Sequence, residues 1–158
     1  MMRRRRRNGF TLIELLIVVA IIGILASIAI VNYFSALARA RQKRTVADIR
    51  SIALAWESRA SETRIYTAAG FSFPSSVVYD DVRGALTPTY IQTIPQRDGW
   101  GNPLEFGAEG IVYGIRSPGR DGLYEGTTYT NGIVSNPDGD IVYSNGNFVR
   151  VPEGMQGE

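Results

Sequence analysis

The chain has 158 residues, 44% of them apolar, with no cysteine, no histidine and a formal charge of +2. The length suits one domain, and the missing residue types exclude thiol chemistry, the usual zinc sites and every mechanism that needs an imidazole base. The positive charge belongs to the N-terminus: without residues 1–9, 12 basic residues face 15 acidic ones, so composition does not point to nucleic acid as a partner.

Arg3 to Arg7 form an unbroken basic run, followed by Asn8, Gly9 and then Phe10-Thr11-Leu12-Ile13-Glu14. From Phe10 to Val31 there are 22 residues, apolar apart from Thr11, Glu14, Gly23 and Ser27. A helix of about 20 residues crosses a hydrocarbon core, and the arginines hold its N-terminal end in the cytoplasm. The span is longer than the roughly 7–15 apolar residues of a secretory signal, and it leads into more helix-forming sequence. A plain signal anchor accounts for the arginines and the span but not for Glu14. A carboxylate there is either tolerated at the helix start, helped by the dipole and the headgroups, or matched to a buried cation.

Past Val31 the pattern becomes amphipathic. Val46, Ile49, Ala53, Trp56 and Ala60 recur at spacings of three and four, which is one helical face. No proline interrupts the chain before Pro74, so one helix is expected from about Thr11 to about Arg64. Arg39, Arg41, Lys43 and Arg44 form a second basic cluster, either a solvated face or a surface for acidic residues of a neighbouring subunit.

The second half is rich in glycine and turns. Residues 67–76 read as loop, and 81–90 as a short helix or turn ending near Pro88. Leu104–Phe106 and Ile111–Arg116 read as strands of a hairpin closed around Gly107 to Gly110. Asn145-Gly146 between apolar runs predicts a second hairpin, since a type I′ turn needs positive φ at both residues. Between the hairpins lie residues 117–139, 23 residues with five glycines and little to bury. A stretch of that length needs something to fix its ends. Either it is a mobile loop with solvated carboxylates, or oxygen ligands from Asp121, Asp138, Asp140 and nearby carbonyls hold a calcium ion.

The Arg-rich leader, Gly9 and Phe10-Thr11-Leu12-Ile13-Glu14-Leu15-Leu16 resemble the class III signal of type IV pilins and pseudopilins. The resemblance implies that prepilin peptidase cuts between Gly9 and Phe10 and N-methylates Phe10. The new amine is then the cation that Glu14 lacks. Val31 stands where that family usually has proline. Ile94-Pro95, Asp98-Gly99-Trp100-Gly101-Asn102-Pro103, Ser117-Pro118-Gly119-Arg120-Asp121-Gly122 and Gly139-Asp140-Ile141 resemble the major pseudopilins of type II secretion systems. That family implies a calcium site with Asp121 and Asp140 as side-chain ligands and Pro118 as a carbonyl donor.

The expected fold is α+β, a long N-terminal helix packed on a small antiparallel sheet. The expected divisions are a leader (1–9), a transmembrane and polymerisation helix (10–31), an amphipathic helix (32–66) and a loop-rich domain with the sheet (67–158). The expected function is structural: a homopolymer forming a periplasmic filament, served by prepilin peptidase, minor pseudopilins and an inner-membrane assembly platform. A type IV pilin for adhesion or motility is the alternative. Absence of cysteine favours the pseudopilin, because pilins often carry a C-terminal disulfide. A membrane-anchored hydrolase finds no nucleophile motif or paired-carboxylate constellation in support.

Overall fold

The computed structural model describes residues 9–64, 77–109 and 112–155. The leader before Gly9 and the expected loop over 67–76 fall outside the described residues. Helix α1 covers Leu12–Thr63, within one residue of the expected bounds at either end. The chain divides into two compact units, residues 1–37 and 38–158.

In the first unit α1 begins on a capping box. The Thr11 hydroxyl accepts from the Glu14 backbone N–H at 3.3 Å, and the Glu14 carboxylate accepts from the Thr11 backbone N–H at 2.9 Å. This Thr-x-x-Glu pattern satisfies orphan amides at both positions. The helix then runs through Gly23 and Val31 without a break. No proline removes a hydrogen bond there. The two serines of this stretch bond back to their own helix, Ser27 Oγ to the Ile24 carbonyl and Ser35 Oγ to the Val31 carbonyl. No polar group of theirs then needs water, as a membrane segment requires. Leu12, Ile13, Leu16, Ile24, Leu25 and Val31 each stay more than 60% exposed.

The second unit has its own core. Val46, Ile49, Ala53, Trp56 and Ala60 are all buried, as their spacing predicts, and Ile52 and Ala55 join them. Trp56 is fully buried against Tyr113 and Phe106, with ring centroids 5.3 and 6.4 Å away. Helix α2, Tyr79–Leu86, adds Val82 and Leu86 to the same core. The turn at residues 98–103 touches α1 directly. Gly99 N–H donates to Thr45 Oγ1, and a Cβ on Gly99 would stand 2.4 Å from the Arg41 carbonyl oxygen. Only glycine allows that approach.

Five strands form one sheet: β1 Glu105–Glu109, β2 Val112–Ser117, β3 Gly132–Val134, β4 Ile141–Ser144 and β5 Asn147–Pro152. Their order is β1-β2-β4-β5-β3. The β4–β5 hairpin turns at Asn145 and Gly146, both with positive φ. The β1–β2 hairpin corrects the expectation of a turn beginning at Gly107. Gly107 pairs with Gly114 inside the ladder, and Ala108 and Glu109 extend the strand. The second correction is β3, which lies within the expected loop and pairs parallel to β5. The sheet is thus mostly, not wholly, antiparallel. Three residues with little alternation carry no strand signal of their own; the partner β5 makes them a strand.

Candidate functional site

Two groups of predicted residues lie in different units. The first is at the start of the chain. Gly9 and Phe10 precede α1 and adopt no regular structure, and Phe10 is 76% exposed. A Cβ at Gly9 would meet nothing within 4 Å. The bond between them is therefore open to an enzyme and not locked into helical hydrogen bonds. Glu14 sits at the third helical position, where one carboxylate oxygen accepts from both the amide and the hydroxyl of Thr11. The cap engages Oε2 and not Oε1.

The second group surrounds the segment between β2 and β4. Its ends are fastened by protein groups. Arg120 donates to both carboxylate oxygens of Asp138, at 2.6 and 2.7 Å, and its backbone N–H donates to the Pro137 carbonyl at 2.9 Å. Gly119 has φ +71, and a Cβ there would stand 2.8 Å from the carbonyl oxygens of Asp138 and Gly139. Glycine is required both for the conformation and for the approach. The pairing with Arg120 holds the Asp138 carboxyl below the ordinary aspartate range.

Asp140 is fully buried immediately before β4. One of its oxygens, Oδ2, accepts from the Tyr129 hydroxyl at 2.6 Å and from the Glu125 N–H at 3.0 Å. The other, Oδ1, is buried without a hydrogen-bond partner. Burial pushes the Asp140 carboxyl up, and the bonds from Tyr129 and Glu125 oppose it. Burial, then the bond to Asp140, pushes the Tyr129 hydroxyl up to about 12. Arg116 of β2 completes the cluster. It donates to the Gly126 carbonyl at 2.6 Å, to the Tyr129 hydroxyl at 2.8 Å and to Glu105 at 2.6 Å, and its guanidinium stacks 4.2 Å from the Tyr124 ring centre. Glu125 also pairs with Arg150.

The sequence reading missed Arg116, Glu125, Tyr129 and the Arg120–Asp138 pair. Alternation puts Arg116 on the face of β2 away from Tyr113 and Ile115, where a sequence reads it as solvated; its burial comes from the loop residues Tyr124, Gly126 and Tyr129. Of the predicted calcium ligands, Asp140 and Pro118 are buried, while Asp121 is exposed with its Oδ1 accepting from the Leu123 N–H. No group of three or more His, Cys, Asp or Glu residues stands ready for a metal among the described residues. The unpartnered Oδ1 of Asp140 nevertheless fits an oxygen-seeking ion. A buried carboxylate oxygen without a donor is costly, and a hard cation satisfies it.

Residues 4–30 match the family model of the prokaryotic N-terminal methylation motif. The chain is 31% identical to the type II secretion system core protein G of Aeromonas hydrophila over 125 residues, covering 77% of this chain and 80% of that protein. It is 30% identical to the core protein G of Pseudomonas aeruginosa over 137 residues, covering 77% of this chain and 91% of that one. The type IV major pilin protein PilA of Myxococcus xanthus is 48% identical, but over 62 residues, 39% of this chain and 28% of that protein. No solved structure matches the chain.

Proposed function

The chain belongs to the family of type II secretion system core protein G, the major pseudopilins, and on that premise we propose that it is the structural subunit of a periplasmic pseudopilus that helps drive protein export. The carrying observation is the exposure of α1 from Leu12 to Val31 in the single chain. That much apolar surface needs a bilayer before assembly and copies of itself after it. The similarity to pilins covers a smaller share of the chain than the similarity to core protein G, so the secretion reading stands ahead of adhesion or motility.

In this reading residues 1–9 are the leader, removed by prepilin peptidase after Gly9. Phe10 becomes the methylated N-terminus, and 10–31 is the single span, with the leader cytoplasmic and the second unit periplasmic. The amphipathic part of the helix runs from residue 32 to Thr63, and the domain it carries follows. The Glu14 carboxylate pairs with the Phe10 amine of a neighbouring subunit while its other oxygen keeps the cap. An assembly platform in the inner membrane and minor pseudopilins start the polymer. Calcium is held by Asp140 and Asp121 with the Pro118 carbonyl, where it supplies charge to the buried Asp140 oxygen. The role is mechanical, without catalysis.

Mass spectrometry of the chain from cells carrying the peptidase tests this first. The expected product begins at N-methylated Phe10, and Gly9→Val leaves the leader attached. A mature chain beginning elsewhere would refute the processing scheme. Electron microscopy of the same cells should show filaments that contain the chain.

A further inference from the structure

The outward face of α1 in the second unit carries a groove of about 310 Å³. Its apolar lining is Ala47 and Leu54 with the buried Val46 and Met155 beneath, and Lys43 and Arg50 stand along it. Leu54 is 56% exposed, although it follows the fully buried Ala53 on the same helix. Lys43 and Arg50 form no ion pair among the described residues; Arg50 lies over the Phe148 ring, 5.5 Å from its centre. Arg50 and Met155 also border the adjoining cavity along β5 and β3, so the groove belongs to the β5–β3 side of the sheet.

The opposite edge of the sheet presents the complement. Val77 is buried and pairs with Phe106 of the edge strand β1, which leaves Val78 turned outward and 62% exposed. Asp80 and Asp81 follow at the start of α2, both exposed and without an ion pair among the described residues. One apolar knob with two carboxylates thus faces away at one edge, and one apolar groove with two cations lies at the other. Val112, Leu123 and Ile133 are also exposed in this unit; Ile133 lies on the groove's own side, and beside Leu123 only Asp121 lacks an ion pair among the described residues, because Glu125 is taken by Arg150.

We propose that Val78, Asp80 and Asp81 of one copy dock into the Lys43–Arg50–Leu54 groove of the next. This deepens the filament reading above and rests on it. Distinct patches at opposite edges give a head-to-tail contact, which propagates instead of closing into a dimer. Opposite charges at the two patches set register and reject a copy presented the wrong way round.

The chain has no cysteine, so introduced pairs give a clean readout. The full-length chain carrying Leu54→Cys and Val78→Cys is expressed in cells that assemble filaments, oxidised, and run without reductant. Both positions are exposed, so the fold should tolerate the changes. A ladder of linked multimers is expected, with each single variant giving none. Lys43→Glu with Arg50→Glu should reduce filament yield at least tenfold, and adding Asp80→Lys with Asp81→Lys should restore it. Filaments without the ladder, or a ladder from Leu54→Cys with Leu123→Cys in its place, would overturn this contact while leaving the filament function standing. No filaments from the unaltered chain would overturn both.

Discussion

At the scale of single residues, the cap made by Glu14 is separable from its proposed charge pair. As the third helical residue it caps α1 through Thr11. In the proposed filament its charge pairs with the Phe10 amine left by processing. There the pair is removed from water, so loss of either partner leaves the other charge uncompensated. Glutamine reproduces the cap and removes the charge; alanine removes both. Glu14→Gln and Glu14→Ala should both insert and be cleaved, and both should assemble poorly, as filament yield by electron microscopy would show. Normal filaments from Glu14→Gln with few from Glu14→Ala would assign the residue to the cap alone. The Thr-x-x-Glu pattern was there to be found in the sequence. The dipole alone already accounts for a carboxylate at the helix start; the reciprocal bond with Thr11 follows only from the three-residue spacing.

At the scale of elements, the helix was legible because the buried positions of its second half follow a 3.6-residue period, and the Asn145–Gly146 hairpin because its turn demands positive φ. What could not be read depends on partners distant in sequence. Strand β3 exists through β5, and Arg116 is explained only by the loop that folds over it. The same holds for the join between α1 and the sheet. The Tyr113 hydroxyl, in the core of β2, donates to the Glu57 carboxylate, and the Tyr143 hydroxyl approaches the same oxygen at 3.4 Å. Burial first, and then the bond to Glu57, raises the Tyr113 hydroxyl above the ordinary tyrosine range. A hydrogen bond to a charged group that is largely removed from water contributes more than a neutral one, and breaking it leaves Glu57, among the described residues, with the longer contact from Tyr143. Tyr113→Phe keeps the ring against Trp56 and should lower unfolding free energy by about 1–3 kcal/mol. Tyr143→Phe should cost less, because at 3.4 Å its bond is already weak. Urea denaturation of residues 38–158 checks the order; equal midpoints for all three chains would mean that ring packing alone holds the sheet to the helix.

At the scale of the molecule, the segment between β2 and β4 decides whether the second unit depends on calcium. Its ends are joined by Arg120 and Asp138, and its middle is drawn in by Arg116, Tyr129 and Asp140. These bonds offset part of the entropy of ordering so polar a stretch. They leave Asp140 Oδ1 buried and unpartnered, and a bound cation would remove that deficit. A ligand that binds only the folded form stabilises by about 2.7 kcal/mol when its free concentration is 100 times the dissociation constant. Melts of residues 38–158 with calcium and with a chelator should then differ by several degrees. Magnesium should substitute poorly, since it demands a tighter octahedral shell than carbonyls and a single buried carboxylate provide. Asp140→Ala should abolish the calcium response. Asp138→Ala should instead lower both melting points by a similar amount, because it strands Arg120 without touching Asp140. Tyr129→Phe separates the two devices further: it removes a donor from Asp140 Oδ2, so it should destabilise the chelated form more than the calcium form. Superimposable curves for the unaltered chain in calcium and in chelator would show that the protein's own bonds suffice to hold the segment.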